Sequence, residues 1–356
     1  MTAIGRHGSR VREALVLAVL VALPWSTAVQ EVAIGLLLVA SLAEGRAHRF
    51  LRLGWAFPAL ATAAAWVLAS LASANPREGF GHAWLLAPLV ALAGLGNDAE
   101  TARRRETVGL VAAAAAAVFA VGQAATGDVA TAALSHHLTV AYALVVPFGV
   151  AMSRRRWGLA AVLAAGVLAT RSDAAPLALL AAAAAALGLR PLVALAGGAA
   201  LTLAGLRWGA GAEELRQRAV LWTGGLSIPL GHAGAGGYRV ASERVYDRLS
   251  PGFWFPNHAH DSFIQLAATA GAAAWVATLA LVVAVFQRGP PAAVPGLVGI
   301  LVGGLTQDTL GDLEVARATW VWLAILGTSM HDEGQAVACS SPLASDLLSP
   351  GPSTRP

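Results

Sequence analysis

The chain has no lysine, so all 24 of its basic residues are arginine, and cysteine occurs once, as Cys339. A single cysteine excludes an internal disulfide framework and any multi-cysteine metal site. Charged residues are scarce at 12%, against 57% hydrophobic residues and a mean hydropathy of +0.64. That balance leaves too little polar surface to cover a water-soluble body of 356 residues, so lipid is the expected solvent for most of the chain. The arginines fall in short clusters between apolar runs. They read as topology signals and not as a nucleic-acid footprint, and no nucleic-acid partner is expected.

What the chain has instead is apolar segments. A bilayer-crossing helix needs roughly 20 mostly apolar residues, and cutting at the polar breaks gives about twelve such segments. They lie near 13–24, 29–43, 54–74, 82–95, 107–125, 138–152, 157–170, 174–189, 191–206, 262–286, 294–305 and 316–330. The expected fold is all-α, a polytopic transmembrane helical bundle. Alanine tracts such as 112–117 and 181–186 suit close helix packing, although high-GC codon bias is the plainer explanation for them.

Alternate loops collect arginine, as cytoplasmic loops do. One side receives Arg6, Arg10 and Arg12, then Arg46, Arg49 and Arg52, then Arg103 to Arg105, Arg154 to Arg156, Arg190 and Arg288. The other receives 24–27, 75–81, 127–137, 171–173, the long segment 207–261, and 306–315. The arginine-then-apolar start reads as an uncleaved signal anchor, with both termini in the cytoplasm of a bacterial inner-membrane protein. Four parts are expected: helices over 1–207, an outer loop over 208–261, helices over 262–333 and a disordered tail over 334–356.

Ionisable groups cost about 2.5 to 3.5 kcal/mol at a helix centre in the bilayer, so their placement invites a functional reading. They gather on the outer side: His136 and His137, Arg171 and Asp173, Asp308, Asp312 and Glu314, and many residues of the long loop. Within that loop 213–222 has helical spacing, which puts Arg218 and Trp222 one turn apart on a shared face. A guanidinium held there suits a phosphate, although the following Gly231, Gly234, Gly236 and Gly237 read either as a backbone cradle for a diphosphate or as a plain flexible turn. His258, His260 and Asp261 precede an apolar helix. They fit a general base oriented by a neighbour better than a zinc site, because the spacing is alternate and no third distant ligand is evident. Capping of the helix at the interface is the plainer role for His260. Seven tryptophans, Trp25, Trp84, Trp157, Trp208, Trp222, Trp254 and Trp320, fall near span ends, where aromatic side chains anchor at headgroups.

Several of these residues carry a resemblance. Arg218-Ala219-Val220-Leu221-Trp222, then Pro229-Leu230-Gly231, then His260-Asp261 followed by Gln265-Leu266 and Gly271, resemble the O-antigen ligase and polymerase family. Ser135 to Thr139 and Gly311 to Val315 resemble further segments of it. The chain departs from the pattern at Asp261, where the family more often has Asn or Ser, and at Thr170 to Asp173, where the arginine of a Ser-Arg element is displaced.

The resemblance implies a GT-C-like bundle with one larger periplasmic loop and a glycosyltransferase without a nucleotide-sugar domain. Its partners would be a polyprenyl-diphosphate-linked glycan donor, a lipid or saccharide acceptor, and membrane lipid. His260 takes the catalytic role, while Arg218, Arg171, His258, His136, His137, Trp222 and Asp312 take substrate-binding roles. No metal or cofactor is required, since diphosphate leaves readily once arginine neutralises it. A transporter or flippase, and a relative without activity, are the competing expectations.

Overall fold

The computed structural model describes residues 3–73, 87–93, 99–132, 134, 136–208, 212–231, 233–234, 237–249, 259–310 and 312–339. Among these residues the fold is all-helical, with no strand. In chain order the helices are α1 Ala3–Ala22, α2 Thr27–Ala43, a 3-10 turn Ala47–Arg52, α3 Ala56–Leu71, α4 Ala87–Ala93, α5 Ala99–Ala125, α6 His137–Ala143 and α7 Val145–Ser153. They continue with α8 Trp157–Ala169, α9 Ala175–Ala186, α10 Pro191–Trp208, α11 Ala212–Ser227, α12 Tyr238–Leu249, α13 Ser262–Arg288, α14 Val294–Gly303 and α15 Leu313–Cys339.

Each apolar run becomes a helix because nothing inside it competes with the backbone ladder, and polar residues mark the ends. Ser26 caps α2 by accepting from the Val29 N–H, and Pro176 and Pro295 sit in the first turns of α9 and α14, where their missing N–H costs nothing. The expected run 138–152 is interrupted at Leu144, which separates α6 from α7. The last helix continues through Gly334 to Cys339, so the expected tail starts as helix; 340–356 lie outside the described residues.

α5 over Glu100–Ala125 and α13 are long and apolar enough to cross a bilayer, and several other apolar helices run 10–17 residues. Their outer faces are apolar. On α2, Val29, Val32, Leu36, Val39 and Leu42 form one exposed stripe, with Val32 65% and Val39 64% accessible, while Gln30 and Ser41 are buried on the opposite face. Because Ala33, Ile34 and Leu37 fill the buried face as well, the helix is apolar on both sides, unlike a surface helix in water.

Small residues permit the central crossings. A Cβ on Gly149 would meet the Gly296 nitrogen at 2.4 Å, and one on Gly166 would meet Ala117 Cβ at 2.4 Å. Trp320 is buried in the main core and is not a headgroup anchor, a correction to its sequence reading; packing around α15 outweighs its interfacial preference. Trp157, by contrast, is 52% exposed.

Polar contacts fall into two sets. In one, Arg12 and Arg46 pair with Glu44, Arg105 pairs with Glu13, Arg154 and Arg156 pair with Glu106, and Arg288 reaches the Gly54 carbonyl. The other comprises Thr27 with Glu314, Thr139 with Asp312, Arg218 with Thr306, His260 with Gln307 and the Arg317–Glu31 ion pair.

The long loop is ordered by a small core of its own. Leu221, Ile228, Ala233, Tyr238, Tyr246 and Ala259 pack together, joined by Ala268 of α13. The Tyr238 and Tyr246 hydroxyls lie 2.8 Å apart, and Tyr246 donates to the Leu221 carbonyl at 3.1 Å. Burial pushes both phenols above their ordinary value, so they remain protonated donors.

Candidate functional site

The turn after α14 is the frame of the site. Ser262, the first residue of α13, donates its N–H to the Gly304 carbonyl at 2.7 Å and its hydroxyl to the Gln307 carbonyl at 3.1 Å, and accepts from the Leu310 N–H at 3.0 Å. Thr309 adds a bond to the Ile300 carbonyl at 3.0 Å. On this frame two neighbouring residues receive the two principal candidates. Arg218 Nη1 donates to the Thr306 carbonyl at 2.6 Å, and His260 Nδ1 lies 3.2 Å from Gln307 Oε1.

Beside them opens a cleft of about 550 Å³. Its polar wall comprises His137, Arg171, Asp173, Arg218, Thr306 and Gln307, and its apolar wall includes Leu138, Pro176 and Leu177 beside Thr202 and Gly205 of α10. Two guanidiniums against one carboxylate favour an anion, and the apolar side accommodates hydrocarbon. His260 is not itself among the lining residues; it adjoins one of them, Gln307.

Arg171 follows the C-terminus of α8 with φ +54°, and its N–H closes the helix on the Leu168 carbonyl at 3.1 Å. Glycine is usual in such a left-handed position, and an L side chain there costs roughly 1–2 kcal/mol. His260 is also left-handed, at φ +52°. Strained backbone of this kind concentrates at functional sites.

The remaining sequence candidates separate into different roles. His136 caps α6, its Nδ1 accepting from the Leu138 N–H at 3.2 Å, while the stacked His137 ring, 4.2 Å away between centroids, lines the cleft. Asp312 caps α15 by accepting from the Glu314 and Val315 N–H groups, and its second oxygen accepts from Thr139 at 2.9 Å. Glu314 accepts from Thr27 at 2.6 Å. These carboxylates tie helices together outside the cleft wall. Trp222 packs against the loop core with its indole N–H buried and without a hydrogen-bond partner. His258 lies outside the described residues.

Of the four glycines of the expected cradle, Gly236 lies outside the described residues. The Gly231 N–H is committed to the Ala267 carbonyl at 3.0 Å, that of Gly234 to Gly231, and that of Gly237 to Gly234, so none of these three faces a diphosphate. Among the described residues no group of three or more His, Cys, Asp or Glu is placed to hold a metal ion.

Asp261 caps α13, accepting from the Phe263 and Ile264 N–H groups at 2.8 and 2.9 Å. Burial pushes its carboxyl up to about 6, against the opposing pull of those two bonds. Asn and Ser cap helices as well as Asp does, so the cap itself does not require a carboxylate.

Sequence reasoning missed Thr306 and Gln307, which carry no charge and no motif, and it missed α12. The spacing of Tyr238, Ala241, Val245, Tyr246 and Leu249 was the available signal for that helix. Neither a protein-family model nor a curated protein matches the chain.

Proposed function

We propose that this chain is a polytopic membrane glycosyltransferase of the O-antigen ligase and polymerase kind, with about twelve crossings in a bacterial inner membrane. It takes a glycan from a polyprenyl diphosphate carrier and passes it to an acceptor hydroxyl, on lipid A core or a growing polysaccharide, at the periplasmic face. The observation that carries this reading is the convergence of Arg171 and Arg218, from distant parts of the chain, on one cleft with an apolar wall, with His260 bonded to Gln307 of that wall. The exposed apolar stripe of α2 favours lipid as its surroundings.

In the proposed reaction the two guanidiniums hold the donor diphosphate. The acceptor oxygen bonds to the anomeric carbon as the bond from that carbon to the diphosphate oxygen breaks. The electron pair leaves on the diphosphate, where arginine stabilises it, and the hydroxyl proton passes to His260. A transporter reading would draw on the interruption of α13 at Gly271, since broken helices line transporter sites. The carbonyls of Ala267 and Ala268 beside that interruption accept from Gly231 and Ala233 instead, which favours the transferase.

The test is transfer in proteoliposomes from a polyprenyl-diphosphate glycan to candidate acceptors. Wild type should transfer, His260→Ala should lose about 10²- to 10⁴-fold in rate, and Arg218→Ala should lose donor binding as well as rate, at matched membrane levels. Product length separates single attachment from polymerisation. Full activity in both variants, or no transfer by wild type with any acceptor, would overturn the assignment.

A further inference from the structure

We propose that Gln307 is a positioning residue that holds the His260 imidazole in the tautomer protonated at Nδ1, leaving Nε2 as the proton acceptor. This deepens the transferase reading and rests on it. Gln307 Oε1 is 3.2 Å from His260 Nδ1, and an amide oxygen only accepts. The hydrogen is therefore on Nδ1, and the ring's basic lone pair is at Nε2.

Gln307 is itself held in place. Its carbonyl accepts from Ser262 Oγ, Ser262 N–H is anchored on Gly304, and the adjacent Thr306 carbonyl receives Arg218. One short turn thus sets both the guanidinium that meets the leaving group and the ring that meets the nucleophile. Gln307 is also one of the residues lining the cleft. The left-handed backbone of His260 is a conformation that surrounding contacts must hold, and this bond is one of them.

The choice of amide has a chemical consequence. A carboxylate in this position would orient the ring equally well but would favour the imidazolium, raising the ring's pKa. The neutral amide sets the tautomer without adding that charge. In the transfer step the acceptor oxygen forms its bond to the anomeric carbon while the bond from that carbon to diphosphate breaks, with the electron pair leaving on diphosphate and the proton going to Nε2.

The experiment uses full-length protein in lipid nanodiscs labelled with ¹⁵N-histidine, the His260 signals being assigned among the nine histidines by their loss in His260→Ala. Wild type should show the Nδ1–H tautomer. Gln307→Leu should show a tautomer mixture and lose on the order of 10- to 100-fold in kcat with an unchanged KM for the donor, the size of effect typical when a group orienting a histidine is removed. Gln307→Glu keeps the acceptor, so it should retain the tautomer and most of the activity while the acid limb of its kcat/KM profile moves to higher pH. An Nε2–H tautomer in wild type would overturn the proposal whatever reaction the protein performs. So would a Gln307→Leu spectrum and pH profile identical to wild type. The Nδ1–H tautomer in a wild type that transfers from no polyprenyl-diphosphate donor would instead remove the transferase reading and leave the positioning of the ring intact.

Discussion

Asp261 joins structure to titration at a single residue. Its carboxyl is raised to about 6 in the folded chain by burial, from an ordinary value of 3.8. The folded state therefore holds this proton more tightly than the unfolded state does. The group's contribution to stability is full below about pH 4 and is lost as pH rises through about 6. Asp261→Asn keeps the cap and has no proton to lose, so its Tm should gain on wild type between pH 4 and pH 7 and hold that gain above. Asp261→Ala removes the cap and should cost about 1 kcal/mol even at low pH. Thermal unfolding in detergent across pH 4 to 8 checks both, and a Tm difference between wild type and Asn that ignores pH would refute the linkage. At this scale Arg218, Arg171 and His137 were legible, because ionisable groups beside apolar runs are conspicuous. Gln307 was not, because its importance lies in the ring it faces across 47 positions of chain.

At the scale of elements, α13 is two helical pieces joined at Gly271, where φ is +80° and ψ is −179°, a combination closed to L side chains. Gly231 approaches so closely that a Cβ on it would meet Gly271 Cα at 3.2 Å. Bonds from Gly231 to the Ala267 carbonyl and from Ala233 to Ala268, at 3.0 and 3.2 Å, lock the loop to the helix that begins beside His260. Because α11 runs into this loop, the junction also helps fix Arg218 relative to His260. Gly271→Ala should destabilise the protein by about 1–3 kcal/mol and lower transfer. Gly197→Ala, within α10 where an added Cβ meets nothing within 4 Å, should be close to neutral. Detergent melting curves alongside the transfer assay provide the comparison; equal behaviour of the two variants would dismiss the interlock. The helices themselves were legible from their apolar runs. The break was not, since hydropathy is continuous through 262–286 and a glycine's φ is set by what packs against it.

At the scale of the whole molecule, the proposed topology rests on the alternation of arginine between loops. The proposed topology then predicts labelling. In a background carrying Cys339→Ser, a cysteine replacing exposed Arg239 should react with a membrane-impermeant maleimide applied to intact spheroplasts. A cysteine replacing exposed Arg104 should react only after permeabilisation. Reaction of both from the same side would reject the topology.

Composition and periodicity alone determined the helical class and the positions of most helices, because both depend on local hydropathy. Only the tertiary structure decided which outer residues share a cleft. It placed Arg171 with Arg218, divided the His136–His137 pair into a cap and a wall residue, assigned Asp312 to a helix end, and committed the Gly231 N–H to Ala267. These outcomes depend on helix crossings and on hydrogen bonds between segments far apart in the chain, and such pairings leave no periodic trace in the order of residues.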